Sequence, residues 1–139
     1  MAAKDLFHDH VRNALVKAGW TITHDPLTLE WRSGQHVFAD QGAERLLAAQ
    51  KQARKIAIEV KSFLSPSELE DLYRAVGQFV FYRSLLAASE PGRELFLAIR
   101  EPIFESLFED EEGEIFRARE NINLLVFSVT AQEVIRWVP

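Results

Sequence analysis

Ile56-Ala57-Ile58-Glu59-Val60-Lys61-Ser62 is the stretch on which the reading of this chain turns. In an extended strand successive side chains point to opposite faces. Ile56, Ile58 and Val60 therefore share one face, and Ala57, Glu59 and Lys61 share the other. The β-branched residues predict an internal strand. An unpaired charge on such a strand is costly, so Glu59 and Lys61 need a partner or a cation.

The residues upstream supply candidates. Leu46-Leu47-Ala48-Ala49 is apolar and Lys51-Gln52-Ala53-Arg54-Lys55 is polar. With the strand that follows, this predicts an antiparallel hairpin turning near Lys51 and Gln52, although 43–52 also has helical propensity. Such a turn brings Glu44 close to opposite Glu59. Asp40 lies on the same face by parity, nearer the open end. Two carboxylates beside a lysine suit Mg²⁺ or Mn²⁺, with positions left for water and phosphate. Lys61 would orient the water or neutralise charge on the phosphate. The same spacing also suits a structural ion-pair network among Asp40 or Glu44, Glu59 and Lys61. A bare Glu-x-Lys decides nothing, since about 0.5 matches arise by chance at average residue usage.

The rest of the chain reads as alternating elements. Residues 4–18 predict an amphipathic helix through Phe7, Val11, Leu15 and Ala18, stopped by Gly19. His8 and His10 are two apart, diverge on a helix and are expected in solvent. Trp20 to Thr23 is a short strand, and His24-Asp25-Pro26 shapes a turn. Leu27, Leu29 and Trp31 alternate as in a half-buried strand, and His36 to Asp40 begins another. Ser65, Pro66 and Glu68 predict a capped helix start. Leu69, Leu72, Val76, Phe79 and Val80 are its expected buried stripe, running to about Ala88. Leu95 to Ile99 is a buried strand, Pro102 to Phe108 a short helix, and Ile122 to Val129 and Glu133 to Val138 further strands. This order implies an α/β (α+β) class with a mixed central sheet flanked by helices.

Composition limits the setting. The 139 residues suit one domain, 1–139, with 47% hydrophobic and 27% charged residues. No cysteine is present, which excludes disulfides and thiolate metal sites. No signal peptide or membrane span is evident, so the expectation is a cytoplasmic protein with no membrane partner. The net charge of −5 is local in origin. Seven of the 21 acids lie in 101–114, where there is no base; the other 14 face 16 bases, a balance of +2. Glu109 to Glu114 reads as a solvated loop, with a partner-docking or DNA-excluding edge as the sharper alternative.

The upstream Asp40, the strand ending Glu59-Val60-Lys61 and the helix after it resemble the PD-(D/E)XK nuclease superfamily, although Ala39 and not proline precedes Asp40. Nearly the whole chain further resembles the XisH family, the fdxN element excision controlling factors. The residues that carry this are Ala3-Lys4-Asp5 with Phe7-His8, Gly19 to Leu27, Asp40-Gln41-Gly42-Ala43-Glu44, Ile56 to Phe63, and Gly77-Gln78-Phe79 with Tyr82. The resemblance implies a restriction-endonuclease-like fold and a part in site-specific excision of a DNA element. It implies Mg²⁺ or Mn²⁺ and places Asp40, Glu59, Lys61 and Gln78 at catalytic positions, with Asp40, Glu59 and alternatively Glu44 as metal ligands. The partners implied are DNA, a small XisI-like protein and a site-specific recombinase; a second copy of the chain is a further candidate. Arg74, Gln78 and Tyr82, at i, i+4 and i+8, form one row that either touches DNA backbone or is a polar edge. Lys51, Arg54 and Lys55 are further candidate DNA contacts, or an exposed basic turn.

Overall fold

The computed structural model describes residues 5–47 and 52–139. Ala3, Lys4, Ala48, Ala49 and Lys51, all used in the sequence reading, lie outside the described residues. The elements in chain order are α1 (His8–Lys17), β1 (Thr21–His24), β2 (Leu27–Arg32), β3 (Gln35–Ala39), β4 (Gln41–Leu47), β5 (Gln52–Val60) and α2 (Glu68–Ser89). They continue with β6 (Arg93–Arg100), α3 (Glu101–Leu107), α4 (Glu111–Arg119), β7 (Leu124–Ser128) and β8 (Glu133–Val138). Six strands form one mixed sheet in the order β1-β4-β5-β6-β7-β8, and β2 pairs with β3 separately. The β5–β6 and β6–β7 pairings are parallel, and the other pairings of this sheet are antiparallel. The mixed central sheet flanked by helices is the class that the sequence predicts.

The period of two seen in β5 organises both layers. Ile56, Ile58 and Val60 pack with Val11 and Leu15 of α1 and with Phe96, Ala98, Leu125 and Phe127. Ala57 faces the opposite layer, with Phe79 and Leu86 of α2, Ile103 and Phe104 of α3, and Leu27 and Leu29 of β2. Fully burying one such side chain contributes roughly 1.5–3 kcal/mol. Alternation across β5, β6 and β7 therefore fixes which face each strand presents, because a slip of one residue would reverse both layers.

Residues 43–47 are strand, paired antiparallel with β5 as the expected hairpin requires. Three expectations are corrected. The α2 cap is Ser67, whose hydroxyl accepts from the Glu70 amide, and not Ser65. Its buried residues are Ala75, Phe79, Tyr82, Leu85 and Leu86; of the expected stripe, Phe79 is among them and Leu72 and Val76 pack partly buried on the same core, whereas Leu69 and Val80 are exposed. The helix is apolar on more than one side, and the side that carries Ala75 is the one that is buried. Finally, most of the acidic stretch is the first turn of a helix, α4. Asp110 caps it by accepting from the Gly113 amide, and Glu111, Glu112 and Glu114 sit where the helix dipole favours negative charge. These acids remain exposed.

Candidate active site

Antiparallel pairing aligns Gln41 of β4 with Ile58 of β5. One step further along the same register, Asp40 meets the Glu59-Val60 end of β5. There its Oδ2 accepts the Val60 amide at 2.8 Å, so a side chain continues the hydrogen bonding that the β4 backbone no longer supplies. Glu59 and Lys61 belong to the α2 side of the sheet, as alternation predicts. Glu59 is buried and hydrogen-bonds to Asp40, while its Oε2 has no partner. Its pKa is pushed up to about 10. Burial is the largest cause, followed by the hydrogen bond to Asp40 and the negative charges of Asp40 and Asp5; only Lys61 opposes them. The pair thus holds a proton at neutral pH, with Glu59 as its carrier.

Glu44 is not brought to this point. It stands opposite Lys55, and its carboxylate lies 3.9 Å from the Lys55 ammonium. Four residues separate Lys55 from Glu59, about 13 Å along a strand. The expected turn position placed Glu44 opposite Glu59; the observed register gives that place to Asp40. Arg54 is one position further away, on the other face of β5, and is paired with Glu94 at 3.5 Å. Lys51 lies outside the described residues.

Of the α2 row, Tyr82 lies close enough to the carboxylates to feel their charge. Gln78 donates to the Tyr82 hydroxyl at 2.7 Å. Tyr82 is buried, and its pKa is raised first by that burial and then by the charge of Glu59, with Asp40 adding to it. Arg74 and Lys61 line a cavity of about 260 Å³ with Asp5, Asp71 and the backbone turn from Ser62 to Ser65.

Three participants escaped the sequence reading. His8, expected in solvent, is only 3% exposed. Its Nδ1 lies 2.7 Å from Asp40 Oδ1 and its Nε2 lies 2.6 Å from Asp25 Oδ1. Asp5 accepts from the Phe7 amide at 2.9 Å and the Ser62 amide at 3.0 Å, tying the chain before α1 to the end of β5. Arg100, at the end of parallel β6, donates to the Ser62 carbonyl at 2.8 Å.

The donor set suits a hard cation. Asp40 and Glu59 offer carboxylate oxygens, one of them without a partner. Among the described residues, no three His, Asp or Glu side chains are grouped as a ready-made metal cage. Remaining positions would fall to water and phosphate, as is usual for Mg²⁺.

The XisH protein family model matches residues 1–135. This chain belongs to the XisH family. Its fold is closely similar to that of an XisH family protein from Nostoc punctiforme PCC 73102, with 34% identity over 97% of this chain and 100% of that one and a TM-score of 0.83. It is as similar to an fdxN element excision controlling factor protein from Anabaena variabilis, with 35% identity over 98% of this chain and 100% of that one and a TM-score of 0.84. None of the curated proteins matches the chain. The XisH-family fold is thus an α+β nuclease-like one. Among the described residues no helix is long and apolar enough to cross a membrane.

Proposed function

We propose that this XisH-family chain serves the controlled excision of a DNA element and acts on DNA phosphodiesters through a divalent-cation site at Asp40 and Glu59. The observation that carries this reading is the meeting of two carboxylates and Lys61 on one face of the sheet, with a buried Glu59 oxygen left unsatisfied. The name of the Anabaena variabilis relative supports the excision setting. A bound Mg²⁺ or Mn²⁺ would supply Lewis acidity to a phosphodiester oxygen and lower the pKa of a bound water. Asp40 and Glu59 would hold the cation as carboxylates, the Glu59 proton passing to solvent. Lys61 neutralises charge developing on the phosphate. Gln78 holds the Tyr82 hydroxyl beside the carboxylates. Arg74, in the adjoining cavity, is placed for the flanking backbone phosphate.

The test is cleavage of duplex, branched and single-stranded DNA with Mg²⁺ or Mn²⁺. Cleavage is expected with the wild-type chain and lost in Glu59→Ala and Lys61→Ala proteins that remain folded. Absence of cleavage of all three substrates would overturn it. A second reading, a non-catalytic control factor that binds DNA or a partner protein, is favoured by the protonated resting state of Glu59 and by the exposed acids of α4. It predicts that Glu59→Ala leaves excision intact, while neutralising Glu109, Glu111 and Glu112 abolishes partner binding. A small XisI-like protein, a site-specific recombinase and a second copy of the chain are the partners to assay.

A further inference from the structure

We propose that His8 is a positioning residue of this site, holding the Asp40 carboxylate in the orientation from which it ligates the cation. This rests on the cation reading above. Asp40 precedes the first residue of β4, so the sheet ladder does not fix it from both sides. Its side chain is held instead by two donors on different elements. The Val60 amide of β5 takes Oδ2 at 2.8 Å, and the imidazole of His8 takes Oδ1 at 2.7 Å. One contact alone leaves the carboxylate free to swing about the other oxygen; two fix its plane.

His8 is itself over-determined. Its Nε2 lies 2.6 Å from Asp25 Oδ1, and the other oxygen of Asp25 accepts from Arg12 at 2.6 Å. The His8 carbonyl accepts from Gln41 Nε2 at 3.0 Å, and Gln41 follows Asp40 directly. Each ring nitrogen of His8 thus lies within hydrogen-bond distance of a carboxylate oxygen, on Asp40 at one side and on Asp25 at the other. The result is a chain of polar contacts, Arg12–Asp25–His8–Asp40, running from a half-exposed guanidinium to the site. Filling space beneath α1 needs a ring of this size but neither aspartate. Partners that orient a ligating side chain typically contribute 10–100-fold to metal affinity.

The experiment is calorimetric titration of the full chain with Mn²⁺, comparing wild type with His8→Leu, His8→Gln and Arg12→Ala. Leu fills the site without donating, whereas the Gln amide still donates to Asp40. The expected result is a loss of about 10–100-fold in His8→Leu, a smaller loss in His8→Gln and the smallest in Arg12→Ala. Cooperative urea unfolding verifies each fold. If His8→Leu does not fold, Asp25→Asn replaces it, and lowered affinity is expected there too. Equal losses in His8→Leu and His8→Gln mark a packing role and overturn the proposal. Wild-type affinity in every variant overturns it while leaving the cation site standing. No binding by the wild-type chain overturns the cation reading, and this inference with it.

Discussion

Replacing Glu59 by glutamine should remove a large pH dependence of stability. In the unfolded chain Glu59 titrates near 4.5; in the folded protein its pKa is about 10. Between these values the folded state binds a proton that the unfolded state has released. Stability therefore falls as pH rises through this window, by about 1.4 kcal/mol per pH unit. Glu59's contribution is complete below pH 4.5 and is lost progressively toward pH 10. From pH 5.5 to 8.5 the loss amounts to about 4 kcal/mol, comparable to the whole stability of a small domain. Glutamine keeps the shape and a donor for Asp40 but cannot ionise. Urea unfolding of both proteins at pH 5.5, 7 and 8.5 isolates the effect, because the other titrating groups are common to both. The gap in unfolding free energy should move by about 4 kcal/mol in favour of Glu59→Gln as pH rises. Parallel curves, with the gap constant to within about 0.5 kcal/mol, would refute the argument. They would mean that Lys61 keeps Glu59 ionised and that the site is an ordinary ion pair.

Two further outcomes follow from the same proton. Cation binding at pH 7 should release about one proton per Mn²⁺ and tighten about tenfold per pH unit up to the pKa of Glu59, read as buffer-dependent heats in calorimetry. Lys61→Ala should change the unfolding free energy from urea titration at pH 6 by less than about 1 kcal/mol, because a neutral Glu59 is not stranded by loss of its neighbour; a loss of 3–5 kcal/mol would instead mark a buried ion pair.

How much of this was legible in the sequence follows from the range of each interaction. The parity of β5 is a local property, and it placed Glu59 and Lys61 on the correct face without reference to any other strand. Hairpin register depends on where the turn falls, so Glu44 was set opposite Glu59 when Asp40 belongs there. The buried face of α2 was misread because helical periodicity admits more than one apolar stripe when most sides are apolar. His8 was out of reach for another reason: its two partners are 17 and 32 residues away, and nothing local distinguishes a bridging histidine from a solvated one.

The misplaced residues also bear on the proposed cation reading. A network among Glu44, Glu59 and Lys61 would have set one lysine between two carboxylates. The observed register sends Glu44 to Lys55 and leaves Glu59 against Asp40, a like-charged neighbour, with one oxygen unpaired. Two adjacent carboxylates in a buried place are stable only with a proton or a cation between them. Folding alone would favour an amide or an apolar residue at one of the two positions. Asp40, moreover, is anchored by His8 and Val60 and not by Lys61, which leaves the lysine turned toward the open cavity beside Arg74. On the proposed cation reading, a lysine that is not needed to neutralise its neighbour would be free to meet an anion arriving from outside.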